Sequence, residues 1–113
     1  MKKIIFTLAI CLFMPLIIKA HPPKKITLTY TSQTKTLTID ISHPVQNAEK
    51  HHIGLISISV DGKEVKTINY STQSDKKGET AEVIVPEITS GCTVTVKATC
   101  NEFGSKKQTL SVV

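Results

Sequence analysis

The sequence predicts an all-β protein, an immunoglobulin-like sandwich of seven antiparallel strands. Three observations predict it. Beyond residue 24, apolar and polar residues alternate almost throughout, the period-2 pattern of half-buried strands. Turn signals recur at short intervals. Outside the first 20 residues nothing reads as a long amphipathic helix. Short strands rich in threonine, valine and isoleucine, each with one apolar face, suit two packed sheets.

The chain opens differently. Met1, Lys2 and Lys3 form a short positive start; residues 4–18 carry no charge and are interrupted only by Pro15; Lys19 and Ala20 close the run. That is the layout of a secretory signal, and the run is short for a spanning helix, which needs about 20 apolar residues. Cleavage is expected between Ala20 and His21, leaving residues 21–113 as one β-sandwich domain in the periplasm or secreted, with no stable membrane span. A lipoprotein role for Cys11 is set aside, because Ile10 stands where a small residue is wanted.

The strands follow in order. Residues 24–30 alternate Ile26, Leu28 and Tyr30 with threonines, and 31–35 form a polar turn. Residues 36–42 alternate Leu37, Ile39 and Ile41, and 43–50 are a loop opened by His43 and Pro44. Residues 53–60 form the third strand. Asp61 and Gly62 are a strong hairpin signal, and 63–70 return as the fourth. Residues 71–79 read as a solvated polar loop. Residues 80–85 are the fifth strand, ended by Pro86. Ser90 and Gly91 turn into the sixth, 93–99; the seventh is 107–112.

Charge narrows the function. The formal net charge of +5 falls by three once Lys2, Lys3 and Lys19 are removed, and the sequence has no arginine. After the leader the aromatics are Tyr30, Tyr70 and Phe103 alone. Nucleic-acid binders rely on clustered cations, often arginine, and on aromatic stacking, so a nucleic-acid partner is not expected. There is no Gly-x-Ser-x-Gly elbow and no carboxylate pair spaced for glycoside hydrolysis. The triplet Asn69, Tyr70, Ser71 has glycosylation form, which arises often by chance.

Cys92 and Cys100 remain after the leader. An exported domain with two cysteines ordinarily suggests a disulfide. These two lie at the ends of one strand, roughly 26 Å apart by the rise per residue, and a disulfide needs about 7 Å or less. Both thiols are therefore expected to be free. Val94, Val96, Ala98 and Cys100 share parity, so Cys100 continues the apolar face where its strand ends; Cys92 does the same at the opposite rim.

The four histidines, His21, His43, His51 and His52, lie in the first half of the mature chain, mostly in or beside loops. In an immunoglobulin-like order the ends of strands two and six share a rim, which brings Cys100 towards His43 and His51. Imidazole and thiolate both ligate first-row transition ions, and a bound cation explains an ionised thiol. Ordinary loop histidines and a small core cysteine fit the spacing as well, and both readings stand at this point.

The arrangement resembles the iron-binding domain of the superoxide reductases, the desulfoferrodoxin family. His21-Pro22-Pro23 looks like that family's His-x-Pro opening. His43-Pro44 followed by His51-His52-Ile53 looks like its His-Pro and His-[His/Tyr]-Ile segment, and Asp61-Gly62-Lys63 sits where the family has a similar turn. Cys100-Asn101-Glu102-Phe103-Gly104 looks like its Cys-Asn-x-His-Gly close. The resemblance implies a sandwich holding one non-haem iron, with His21, His43 and His51 as equatorial ligands and Cys100 as the axial thiolate. It further implies one-electron reduction of superoxide to peroxide, with an electron donor that the sequence does not name.

The sequence also departs from the pattern. Phe103 stands where the fourth histidine belongs, the interval from His43 to His51 is two residues longer than usual, and Lys19 and Ala20 occupy places often held by an acid and a lysine. Two rival readings follow. One is a periplasmic copper-binding protein in which the α-amine of a terminal His21 supplies a fourth nitrogen, with His52 as a further candidate. The other is a non-catalytic sandwich module that binds a partner and keeps a decayed site.

Overall fold

The computed structural model describes residues 21–113, so the leader and Cys11 lie outside the described residues. Seven strands follow in order: β1 (Lys25–Thr31), β2 (Thr36–Ser42), β3 (Ile53–Val60), β4 (Lys63–Asn69), β5 (Gly78–Ile84), β6 (Thr93–Cys100) and β7 (Ser105–Ser111). They form two antiparallel sheets, β1-β2-β5 and β4-β3-β6-β7, as alternation predicts.

The core is the inward parity of both sheets. Leu37, Ile39 and Ile41 of β2 face Ile56, Ile58, Val94, Val96 and Ala98, all essentially without solvent contact. Burying each large aliphatic side chain contributes about 1.5–3 kcal/mol. The outer strands carry less of this burden. β7 keeps only Leu110 partly covered, and Lys106 sits on its inward parity opposite Ala98 yet remains exposed, a charge of the kind that guards a sheet edge against pairing with another chain.

Turns match their residues. Asp61 and Gly62 both take positive φ, 49° and 85°, the two-residue turn whose twist matches flanking strands. Asp61 also accepts the Thr93 N–H through Oδ1 at 2.9 Å and donates its own N–H to Thr93 O at 2.8 Å, tying this hairpin to the start of β6.

Register places one rim. Lys25 pairs with Ser42 and Ser42 with Gly78 in the first sheet. In the second, Ile53 pairs with Cys100, Leu55 with Asn69, and Thr99 with Ser105. The end of β2 and the starts of β1 and β5 therefore meet the end of β6 and the starts of β3 and β7. The β3–β6 register shifts between Ile53 and Leu55, a bulge at Gly54 that changes the phase of the strand. Ile53 thus joins Ile56, Ile58 and Val60 on the inner face. His51 and His52 precede the strand, and His52 is the more buried of the two.

The segment 71–79 departs from the reading of a solvated loop. Gln73 and Glu79 are 4% and 5% exposed, and β5 begins at Gly78 rather than Thr80. Glu79 accepts from Ser74 N at 2.9 Å and from Ser74 Oγ, and Asp75 Oδ1 accepts from Lys77 N at 2.7 Å. These bonds hold Gln73 and Glu79 inward, while Ser71, Thr72, Ser74, Asp75, Lys76 and Lys77 stay exposed as that reading expects.

Gly78 is the hinge of this arrangement. A Cβ there would collide with the carbonyl oxygen of Ile41 and approach His43 N to 3.1 Å. Gly78→Ala is expected to lower stability by about 1–3 kcal/mol, the usual cost of overpacking. Urea unfolding checks it; an unchanged midpoint would contradict the close approach.

Candidate metal centre

The rim gathers the residues singled out by their chemistry. The ring centroids of His21, His43 and His51 stand 4.9 Å (His21–His43), 5.0 Å (His21–His51) and 4.8 Å (His43–His51) apart. One nitrogen from each ring lies within 4.8 Å of the others. Cys100 Sγ sits 3.1 Å from His51 Nε2. His52 is not in the group: it is buried and its Nδ1–H donates to Glu49 O at 3.0 Å. Phe103 is 62% exposed and offers no donor atom. Cys92 is free and buried, as is Cys100, and it lies at the other end of β6.

Separate devices hold each member. Asn101 clasps the chain on both sides of His51: its N–H donates to His52 O (2.9 Å), its Oδ1 accepts from His52 N (2.8 Å), and its Nδ2 donates to Lys50 O (3.0 Å). Because Asn101 follows Cys100 directly, the clasp fixes imidazole and thiol relative to each other. His21 is seated by the same loop. Gly104, at φ 87°, leaves room for Pro22, whose Cβ would lie 2.8 Å from any Cβ at position 104. His43 is fully buried, and its Nδ1 lies 2.6 Å from Gln73 Oε1.

Proton placement on His43 follows from Gln73. Its Nε2 donates to His43 O at 3.0 Å and Asp75 O at 2.9 Å, so its Oε1 must face the other way, where it accepts from Ile53 N at 3.0 Å. The remaining partner, His43 Nδ1, therefore carries its proton. In the neutral ring Nε2 keeps a lone pair, and it faces His21 O at 3.2 Å. His21 repeats the conflict: Nδ1 lies 3.1 Å from Pro22 O and Nε2 3.0 Å from Pro44 O, although a neutral imidazole has one N–H to give. Lone pairs facing carbonyl oxygens at a partly buried rim are relieved by positive charge. A cation among the three rings relieves the conflict, and three imidazoles with a thiolate suit a first-row transition ion.

Electrostatics prepare His51. Burial holds its imidazole below the usual histidine range, neighbouring His43 adds to this, and the Glu102 carboxylate partly opposes it. A neutral ring at pH 7 has a lone pair free for a metal. Glu102 N–H points at Cys100 Sγ from 3.4 Å, a backbone donor aimed at the sulfur. An open cavity of about 570 Å³, lined by His21, Pro44, Val45, Gln46, Asn47, His51 and Glu102, gives solvent a path to the rings.

Sequence reading missed Gln73. The one available signal was a lone glutamine among serines, aspartate and lysines, indistinguishable there from a solvated residue.

The His51 shift has a sign that can be tested on metal-free protein. The folded form takes up its proton at lower pH than the unfolded chain, so the unfolded state binds more protons as pH falls through about 6.5 towards the lowered value. This contribution to stability is full above that range and is lost on acidification through it. The urea midpoint of the wild-type protein should fall more between pH 7.5 and 5.5 than that of His51→Gln. Parallel declines would remove the electrostatic account.

No family model matches the chain, and no curated protein matches it by sequence. Solved structures do match. A superoxide reductase from Giardia intestinalis aligns over 84% of this chain and 100% of its own, at 18% identity and a TM-score of 0.56. A hypothetical protein from Pyrococcus horikoshii OT3 aligns over 80% of this chain and 89% of its own, at 18% identity and a TM-score of 0.56. A superoxide reductase solved in the oxidized state covers 82% of this chain and 90% of its own, at 12% identity and a TM-score of 0.55. At these identities the likeness concerns architecture, and the resemblance read from the motifs holds at that level: the chain has the sandwich fold seen in superoxide reductases.

Proposed function

We propose that the chain is an exported mononuclear metal protein with His21, His43, His51 and Cys100 as ligands, iron as the resident metal, and superoxide as its substrate. The observation that carries this reading is the gathering of three imidazoles at a single rim, with the Cys100 thiol 3.1 Å from His51 Nε2.

Each residue has a distinct task. His43, buried with its Nδ1–H engaged, presents Nε2. His21 and His51 form the more open side, next to the cavity. Cys100, approached by the Glu102 N–H, supplies an electron-rich sulfur. Bound iron would supply a one-electron couple at this position, as in thiolate-ligated sites generally. Phe103, turned to solvent, adds no donor, and the cavity beside His21 and His51 leaves room for a small oxidant. No member of the set provides the reducing electron, which a separate donor must deliver. Export rests on the basic and apolar leader, residues 1–20; among the described residues no helix is long and apolar enough to cross a membrane.

The backbone of His21 supports a second reading. Its carbonyl oxygen lies 3.2 Å from His43 Nε2, so the start of the domain is itself part of the site. With cleavage after Ala20, the α-amine of His21 becomes a further nitrogen donor, and a nitrogen-rich set favours copper.

Metal analysis of protein purified without oxygen tests the first reading. About one iron per chain is expected, with a thiolate charge-transfer band in the visible that disappears in Cys100→Ser; superoxide consumption should be lost with it. Protein that takes up no iron, or whose band survives Cys100→Ser, contradicts the ligand set. For the second reading, a chain beginning at His21 is compared with one carrying an extra residue ahead of it. Copper occupancy and spectrum should change between them; identical behaviour would eliminate the amine.

A further inference from the structure

We infer that Gln73 is a positioning residue for the centre, holding His43 as an Nε2 ligand by fixing its tautomer; the role rests on the metal-site reading above. The amide makes four hydrogen bonds at a site 4% exposed: two donated from Nε2, to His43 O and Asp75 O, and two accepted at Oε1, from His43 Nδ1 and Ile53 N. Both donors point at carbonyls, so the amide cannot flip without setting oxygen against oxygen. One side chain thereby grips His43 by its ring and its backbone, and grips the first residue of β3 as well.

The position of Gln73 is itself fixed. Ser74, the next residue, is bound through N and Oγ to the buried Glu79. Glu79 follows Gly78, which pairs with Ser42, the residue before His43. Gln73 N also donates to Ala48 O at 3.2 Å. The segment 71–79, which touches no substrate cavity, thus serves to aim one imidazole. Partners of this kind, behind a ligating histidine, commonly change metal affinity 10–100-fold when removed.

Three proteins test it: wild type, Gln73→Leu and Gln73→Glu. Glutamate keeps an oxygen for His43 Nδ1–H and loses the two donated bonds, whereas leucine keeps neither function. Imidazole ¹⁵N shifts of the metal-free wild type should show His43 protonated at Nδ1 and bare at Nε2. That pattern should persist in Gln73→Glu and be lost in Gln73→Leu. Affinity for Co(II), used as the probe, should fall about 10–100-fold in Gln73→Leu and recover at least in part in Gln73→Glu, with the ligand-field bands of the two variants distinct. A purely structural glutamine would make the glutamate variant no better than leucine. Wild-type protein that binds no Co(II) overturns the metal-site reading itself. Co(II) binding alongside an Nε2–H tautomer in the wild type, or equal affinities in all three proteins, overturns the role of Gln73 alone.

Discussion

The pairing of β3 with β6 is the constraint on which the rest of the rim depends. Ile53 lies opposite Cys100, so the residues just before one strand and at the end of the other are neighbours by backbone geometry. His51 and the sulfur then need only short side-chain reaches. The bulge at Gly54 sets the phase of β3 as it leaves the rim, and Asn101 locks the segment around His51 through three hydrogen bonds. A one-residue slip in this pairing would exchange the faces of the strand and scatter the group. The aliphatic core, with Val94, Val96 and Ala98 packed under β2, makes such a slip costly, since it would drive buried side chains into water.

The polar residues around the rings are arranged for charge. Carbonyl oxygens of His21, Pro22 and Pro44 lie against imidazole nitrogens, while imidazole and backbone donors are directed at Gln73 Oε1 and a backbone donor at the sulfur. Stability and function pull in different directions here. A metal-free rim keeps unpaired lone pairs close together in partly desolvated surroundings, where they are unfavourable. The same crowding raises the affinity for a cation, because binding relieves it.

Much of this organisation was legible in the sequence. Period-2 alternation located every strand, with β2 and β3 matched to the residue, because one buried face per strand leaves an unambiguous pattern. Asp61 and Gly62 marked their turn through the φ values they tolerate. The parity of Cys100 with Val94, Val96 and Ala98 placed the thiol inside the rim, and the length of β6 ruled out a bond to Cys92. The segment 71–79 was not legible. Its serines, lysines and aspartate are what a solvated loop also contains, and the burial of Gln73 arises from hydrogen bonds to residues about 20 to 30 positions away. The extra residue at Gly54 was hidden for a related reason: alternation around Ile53 and Ile56 fits two registers, and only pairing with β6 selects one.

The candidate donors span the chain from its first described residue, His21, to Cys100 near its end. In an extended polypeptide these residues are far apart, and the rim that joins them forms only when the two sheets pack. The rings therefore come together late in folding, with the long-range contacts that delay closure in β proteins.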